Sequence, residues 1–128
     1  MRVTLQSISL LSCLFLSPMV FADIDRGWRN FEQGDLQAAM AEFEASAKMD
    51  DASSAFIYGM LLLDADMPTV NTSTVNTTEG RAWLKKAADL GNAKAAYNLA
   101  YYYAFEWADM PEAASAFKTY IEMAQAGG

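Results

Sequence analysis

Shifted by 41 positions, this chain lies on a copy of itself. Phe43 falls on Leu84, Ala47 on Ala88, Asp51 on Asn92 and Ala52 on Ala93. Ala55 then meets Ala96, Phe56 meets Tyr97, and Gly59 meets Ala100. Small residues match small ones, and large apolar residues match large ones. A fixed period of this length marks a repeat architecture, in which one supersecondary unit stacks on the next. Small side chains at fixed places let neighbouring helices approach closely, which gives such a stack a reason to keep them.

A weaker match at a shift of 36 pairs Leu84 with Tyr120, Ala88 with Ala124 and Gly91 with Gly127. The five-residue difference between the periods has a local origin. Thr69-Val70-Asn71-Thr72-Ser73 is followed at once by Thr74-Val75-Asn76-Thr77-Thr78, which reads as a tandem duplication. The doubled block is polar, β-branched and uncharged, so a surface loop outside any helix is expected there. Asn71 and Asn76 each open an Asn-x-Ser/Thr triplet. Such triplets accept glycans in a eukaryotic secretory pathway and carry no meaning by default in a bacterium.

The repeating unit reads as helical. Alanine is abundant, β-branched residues are few, and apolar residues recur at three- and four-residue spacing. Leu36, Ala39, Met40, Phe43 and Ala47 form one stripe. Trp83, Leu84, Ala87, Ala88 and Leu90 form a second, and Ala95, Ala96, Leu99, Ala100 and Tyr103 a third. Gly34-Asp35 and Gly91-Asn92 punctuate the pattern, glycine ending one helix and Asp or Asn capping the next. Asp109 is placed to cap a final helix with Pro111 in its first turn. Six helices are predicted, over 24–33, 35–49, 52–64, 79–89, 92–105 and 110–126. Helices joined by such short turns run roughly antiparallel. The predicted fold is therefore all-α, an α-α superhelix (solenoid) of about three antiparallel helical hairpins.

The first 22 residues have a different character. Arg2 is the only charge before Asp23, an apolar run from Ile8 to Leu16 follows, and Pro18 breaks it. Val20-Phe21-Ala22 then offers side chains a signal peptidase accepts, so residues 1–22 read as a secretory signal and 23–128 as the repeat domain. A retained anchor is the competing reading, but Ser7, Ser9, Ser12, Ser17 and Pro18 interrupt the roughly 20 apolar residues a span needs. Leu10-Leu11-Ser12-Cys13 resembles a lipoprotein cleavage site, although Leu14-Phe15-Leu16 continue the apolar run beyond the cysteine. Removing residues 1–22 takes away the one cysteine, and with it disulfides and thiolate metal sites. It also takes Arg2 from the 9 basic residues, leaving 8 against 16 acidic ones, a net charge of −8. That surface repels phosphate backbones and anionic membranes, so neither nucleic acid nor a membrane is expected as a partner. The charge serves solubility or steers a basic partner. The expected location is periplasmic or secreted.

Trp83-Leu84-Lys85-Lys86-Ala87-Ala88-Asp89-Leu90-Gly91-Asn92-Ala93-Lys94-Ala95 resembles the centre of a Sel1-like repeat, W-L-x-K-A-A-x-x-G-x-x-x-A. Leu99, Ala100 and Tyr103 continue it, with Ala100 where that family prefers glycine. Gly34 to Phe43 is similar instead to the second helix of a tetratricopeptide repeat, G-x-x-x-x-A-x-x-x-F/Y. Both families are built of helix pairs, and the likeness covers most of residues 26–127. The segment from Ala104 to Asp109 departs from it, replacing an expected G-x-G loop. The resemblance implies a scaffold or adaptor that binds protein, and bacterial Sel1-like members often act in envelope processes. It names no ligand.

Catalytic equipment is sparse. The chain has no histidine, hence neither the commonest general base nor the commonest zinc ligand. No serine sits in a Gly-x-Ser-x-Gly setting, and no glycine-rich phosphate loop exists. Carboxylate pairs remain: Asp50-Asp51 at a helix junction, where capping explains them, Asp64/Asp66, which lack an EF-hand spacing, and Glu106/Asp109. No enzyme activity, cofactor or metal is expected.

Aromatic residues concentrate in Tyr97, Tyr101, Tyr102 and Tyr103, with Phe105 and Trp107 beyond. Tyr103 belongs to the buried stripe of the family pattern. Tyr97 and Tyr101, four apart, share another helix face with Lys94 and Asn98. That face either packs within the stack or forms an exposed aromatic patch on its inner side, suited to protein contacts. Lys94, Tyr97, Asn98 and Tyr101 are the candidate partner-binding residues, while Trp28 and Trp83 are assigned to structure. The leading expectation is a module holding a peptide or protein partner in the groove of three stacked hairpins, monomeric or weakly self-associating. The alternative is a structural subunit of a larger helical assembly, joined through end-to-end repeat contacts. A third reading is a carboxylate-dependent hydrolase using Glu106 and Asp109.

Overall fold

The computed structural model describes residues 23–64 and 74–127. Residues 1–22, where a secretory signal is expected, and the first copy of the duplicated block lie outside the described residues. Within them the protein is all-helical, with six helices: α1 (Ile24–Glu32), α2 (Leu36–Lys48), α3 (Ala52–Leu63), α4 (Thr74–Asp89), α5 (Ala93–Ala104) and α6 (Ala113–Gly127). No described residue lies in a strand. Each helix packs on the helices before and after it in the chain.

Three turns share one construction. In each, a residue with left-handed backbone stands directly before an Asp or Asn that caps the next helix. The left-handed residues are Gly34, Asp50 and Gly91, with φ of 80°, 66° and 99°. The caps are Asp35, Asp51 and Asn92, whose side-chain oxygens accept from the backbone N–H of Ala38, Ser54 and Ala95 at 3.1, 2.9 and 2.8 Å. Each turn also closes the preceding helix with two backbone bonds. For α4 these run from Gly91 N to Ala88 O and from Asn92 N to Ala87 O, both 2.9 Å. Carbonyls otherwise left unpaired at a helix end are thereby satisfied. Asp50 and Gly91 stand 41 positions apart, so the repeat extends to backbone conformation.

Two apolar clusters form the core. Ala39, Phe43, Tyr58 and Leu62 centre the first, between α1, α2 and α3. The second runs from Ala47 and Ala55 through Leu84, Ala88, Ala96 and Leu99 to Tyr103, Trp107 and Ala113. Trp83 packs against both. Ala55 and Ala96, which the 41-residue shift superposes, are both fully buried. Phe43 and Leu84, also superposed, each face a glycine of the preceding helix. A Cβ on Gly27 would meet the Phe43 ring at 2.7 Å, and one on Gly59 would meet the Leu84 backbone nitrogen at 3.1 Å. Gly59 and Gly80 oppose each other across α3 and α4, each Cβ position lying 3.0 Å from the other's carbonyl oxygen.

Two expectations need correction. The second duplicated block, Thr74 to Thr78, is the start of α4 and not a loop. Once a helix is nucleated, adding a residue costs a Thr, Val or Asn only a few tenths of a kcal/mol each over a good helix former, and the helix anchored by packing of Gly80 and Leu84 on α3 extends back through the block. The last helix begins at Ala113, so Pro111 lies in the turn before it. The contacts of the segment between α5 and α6 explain this. Trp107 is buried, its N–H donates to the Tyr102 carbonyl at 2.7 Å, and Met110 N–H donates to the Trp107 carbonyl at 3.1 Å. These bonds hold a run of turns from Phe105 to Glu112 in place of a helix start.

Candidate functional site

The four residues selected from the sequence sit on α5. Tyr97 and Tyr101 are 60% and 52% exposed. Lys94 is exposed as well, but the Asn98 side-chain N–H donates to the Lys94 carbonyl at 2.7 Å, which commits one of its donors within its own helix. The two tyrosines join Phe105, Phe117 and Ile121 around a shallow apolar depression of about 130 Å³ between α5 and α6. Tyr101 and Phe105 are in ring contact, with centroids 4.9 Å apart. Lys94 and Asn98 do not line it. Tyr103 is buried and stacks parallel to Tyr120 at 6.1 Å.

A larger concavity lies elsewhere. Trp28 of α1, Phe56, Ile57, Met60, Leu61 and Leu63 of α3, Asp64 just beyond it, and Tyr102 of α5 line a groove of about 590 Å³. It is assembled from the first helix of each successive pair. Trp28 is held by edge contacts to Phe43 at 5.2 Å and Phe31 at 5.8 Å, yet stays 42% exposed. Tyr102 is fixed by a stack. Its ring lies 4.6 Å from Trp107 at an interplanar angle of 17°, and the Arg81 guanidinium sits 4.6 Å over Trp107. Rings locked in this way lose little freedom when a ligand is bound.

Burial first, then the charges of Glu106 and Asp64, push the Tyr102 hydroxyl above the ordinary tyrosine range. It therefore remains a neutral hydrogen-bond donor at physiological pH. Asp64 lines the Tyr102 end of the groove and Glu106 lies near it, with the Arg81 guanidinium on Trp107 beside them, while the rest of the lining is apolar. Such a surface accepts aliphatic or aromatic side chains, with a basic group favoured at one end. Among the described residues no three acidic, histidine or cysteine side chains cluster closely enough to hold a metal ion, and no helix is long and apolar enough to cross a membrane.

Sequence reasoning assigned Trp28 to structure, named Tyr102 among the aromatic residues without selecting it, and passed over Ile57, Met60 and Leu61. A signal was present: Leu61 and Tyr102 are 41 residues apart, and so occupy the same place on successive first helices. Comparison with protein-family models, with curated proteins and with solved structures found no match.

Proposed function

We propose that this chain is an exported helical-repeat protein, an α-α superhelix of three hairpins of the Sel1/tetratricopeptide kind, which holds a peptide or extended protein segment in its groove. The observation that carries this reading is the groove itself, to which the first helix of every pair contributes a side chain: Trp28, the α3 row and Tyr102. A surface built this way runs across the stack, the direction in which an extended segment can lie. The shared turn construction and the superposed burial of Ala55 and Ala96 support the repeat arrangement. The signal-like layout of residues 1–22 supports export to the periplasm or beyond. The occupant fitting best is a segment with apolar side chains and a nearby Lys or Arg, drawn by the carboxylates at the Tyr102 end and by the overall negative charge. We assign the protein no catalytic role and no cofactor.

The test is a peptide array of apolar segments with and without basic residues, followed by affinity measurement on the best binder. Met60→Gln with Leu61→Gln should weaken binding by about tenfold or more, and Tyr97→Ala with Tyr101→Ala should leave it unchanged. Equal binding by the groove variant, with its fold verified by circular dichroism, contradicts the assignment. If the Tyr97/Tyr101 variant alone loses binding, the partner site is the α5 patch selected from the sequence.

A second reading, a structural subunit joined by end contacts, is favoured by the exposed aromatic face of α5 and α6. Groove and face are separate surfaces, so the two readings do not exclude each other.

A further inference from the structure

Each helix pair presents a face to the pair that follows. For the second pair that face is visible in its contacts. Phe56 and Met60 of α3 pack on the cluster that contains Leu99, Tyr103 and Trp107. On α4, the Arg81 guanidinium lies 4.6 Å over the Trp107 ring and the Lys85 ammonium 5.8 Å over that of Tyr103. The two repeat shifts carry these positions forward. By 41, Phe56 and Met60 become Tyr97 and Tyr101; by 36, Arg81 and Lys85 become Phe117 and Ile121. The depression between α5 and α6 is thus the third pair's version of a face that is largely covered one pair earlier, where Phe56 and Met60 also border the groove.

The composition of this face has changed. Where the second pair uses two cations, the third has only aromatic and aliphatic side chains, and Phe105 adds a further ring that is 67% exposed. Outer faces of terminal repeats are ordinarily polar. The other end of the molecule is more polar: Asp25, Arg29, Glu32, Gln37 and Lys48 are exposed on α1 and α2, with Trp28 and Met49 as the exposed apolar side chains there. Charged side chains predominate at one end and rings at the other, so joining unlike ends would set rings against charges.

We propose that the apolar end docks on the same end of a second copy, across a two-fold axis. The charges at its rim suit this pairing. With the axis across the helices, α5 runs antiparallel to its copy. Lys94 at the start of one α5 then approaches Glu106 just beyond the end of the other. On α6, Lys118 and Glu122 flank the apolar pair and exchange partners in the same way. All four are exposed. The area is adequate for a reversible dimer. At roughly 200 Å² for a Phe or Tyr side chain, the exposed parts of Tyr97, Tyr101, Phe105 and Phe117 amount to about 440 Å² per copy. Two copies remove about 900 Å² from water before the rim is counted, at the low end of specific interfaces.

This inference rests on the repeat arrangement and not on what the groove binds. Sedimentation equilibrium of the purified protein, from low micromolar to submillimolar concentration, tests it. The expected result is a monomer–dimer equilibrium without larger species, weakened by about tenfold or more in Tyr97→Ser with Phe105→Ser. Lys94→Glu should weaken it also, and adding Glu106→Lys to the same chain should restore it. Both sets of variants should keep peptide binding, which separates failure of this proposal from failure of the groove. A monomer at every concentration overturns the proposal, since another chain or water then meets the face. Open-ended growth overturns it in favour of head-to-tail stacking, and a charge reversal without rescue overturns the two-fold arrangement.

Discussion

Asp51 does more than its equivalents at the other turns. Its carboxylate accepts from the Ser54 N–H at 2.9 Å and from the Ser54 hydroxyl. Ser54 has one proton to give, so the Ser46 hydroxyl, 2.9 Å away, must donate to it. Ser46 and Ser54 are both buried, and Asp51 ends their chain of donors. Asp51→Ala should therefore cost about 2 kcal/mol, against about 1 for Asn92→Ala, where only a cap is lost; urea titration of both variants measures the difference. Tyr58 makes a second buried polar contact. Burial, then the charges of Glu44 and Glu79, hold its hydroxyl far above the ordinary tyrosine value, and a hydrogen bond to Glu44 adds to this. The unfolded chain loses that proton near pH ~10 while the folded chain keeps it. Stability is then level through neutral pH and falls as the pH rises past about 10. Tyr58→Phe should lessen that alkaline decline, leaving the part due to Tyr102 and Tyr120, whose hydroxyls burial also pushes up, read as urea midpoints on either side of pH ~10. At this scale the caps were legible, because Asp and Asn after a left-handed residue have one main use. The Ser46–Ser54–Asp51 chain was not, since it depends on two helices meeting at one point.

The helices themselves were readable in number and order, and the errors lay at their starts. Thr74 to Thr78 has the composition of a loop, and local preference gave no reason to place it in α4. What decides is the packing one turn later, where Gly80 lies against α3. Thr78→Pro, inside the helix, should thus cost about 3 kcal/mol, whereas a loop would absorb it; thermal unfolding distinguishes the two. Gly59 tests the same contact from the other side. Alanine is the better helix former by about 1 kcal/mol, but a Cβ there meets backbone atoms of α4 at 3.0 and 3.1 Å, which cannot step aside. Gly59→Ala should be destabilising overall, by about 1–2 kcal/mol, with the sign as the informative result. The start of α6 was misjudged for a different reason. Asp109 and Pro111 look like a cap and a first turn, but Trp107 folds back under Tyr102 and delays the helix until Ala113.

Over the whole molecule, apolar spacing announced the all-helical fold, and the self-match at 41 residues picked out small residues that are buried alike, Ala47 with Ala88, Ala55 with Ala96 and Gly59 with Ala100. It did not locate the groove. Tyr97 and Tyr101 stand out in the sequence as a pair on one helix, whereas Trp28, Ile57, Leu61 and Tyr102 come from three helices and share no local pattern. A concave surface belongs to the arrangement of elements, and only aligned positions on successive first helices hint at it. The exposed aromatic pair instead marks the apolar end. The claim on which the account turns is that the groove crossing α1, α3 and α5 is where a partner segment lies. Two-dimensional NMR of the labelled protein, titrated with a peptide from the array, tests it by position. The expected result is shifts confined to the Trp28 indole N–H, the Ile57 and Leu61 methyls and the ring of Tyr102, with those of Tyr97, Phe105 and Phe117 unmoved. Shifts gathered at the latter three, with Trp28 silent, would contradict it.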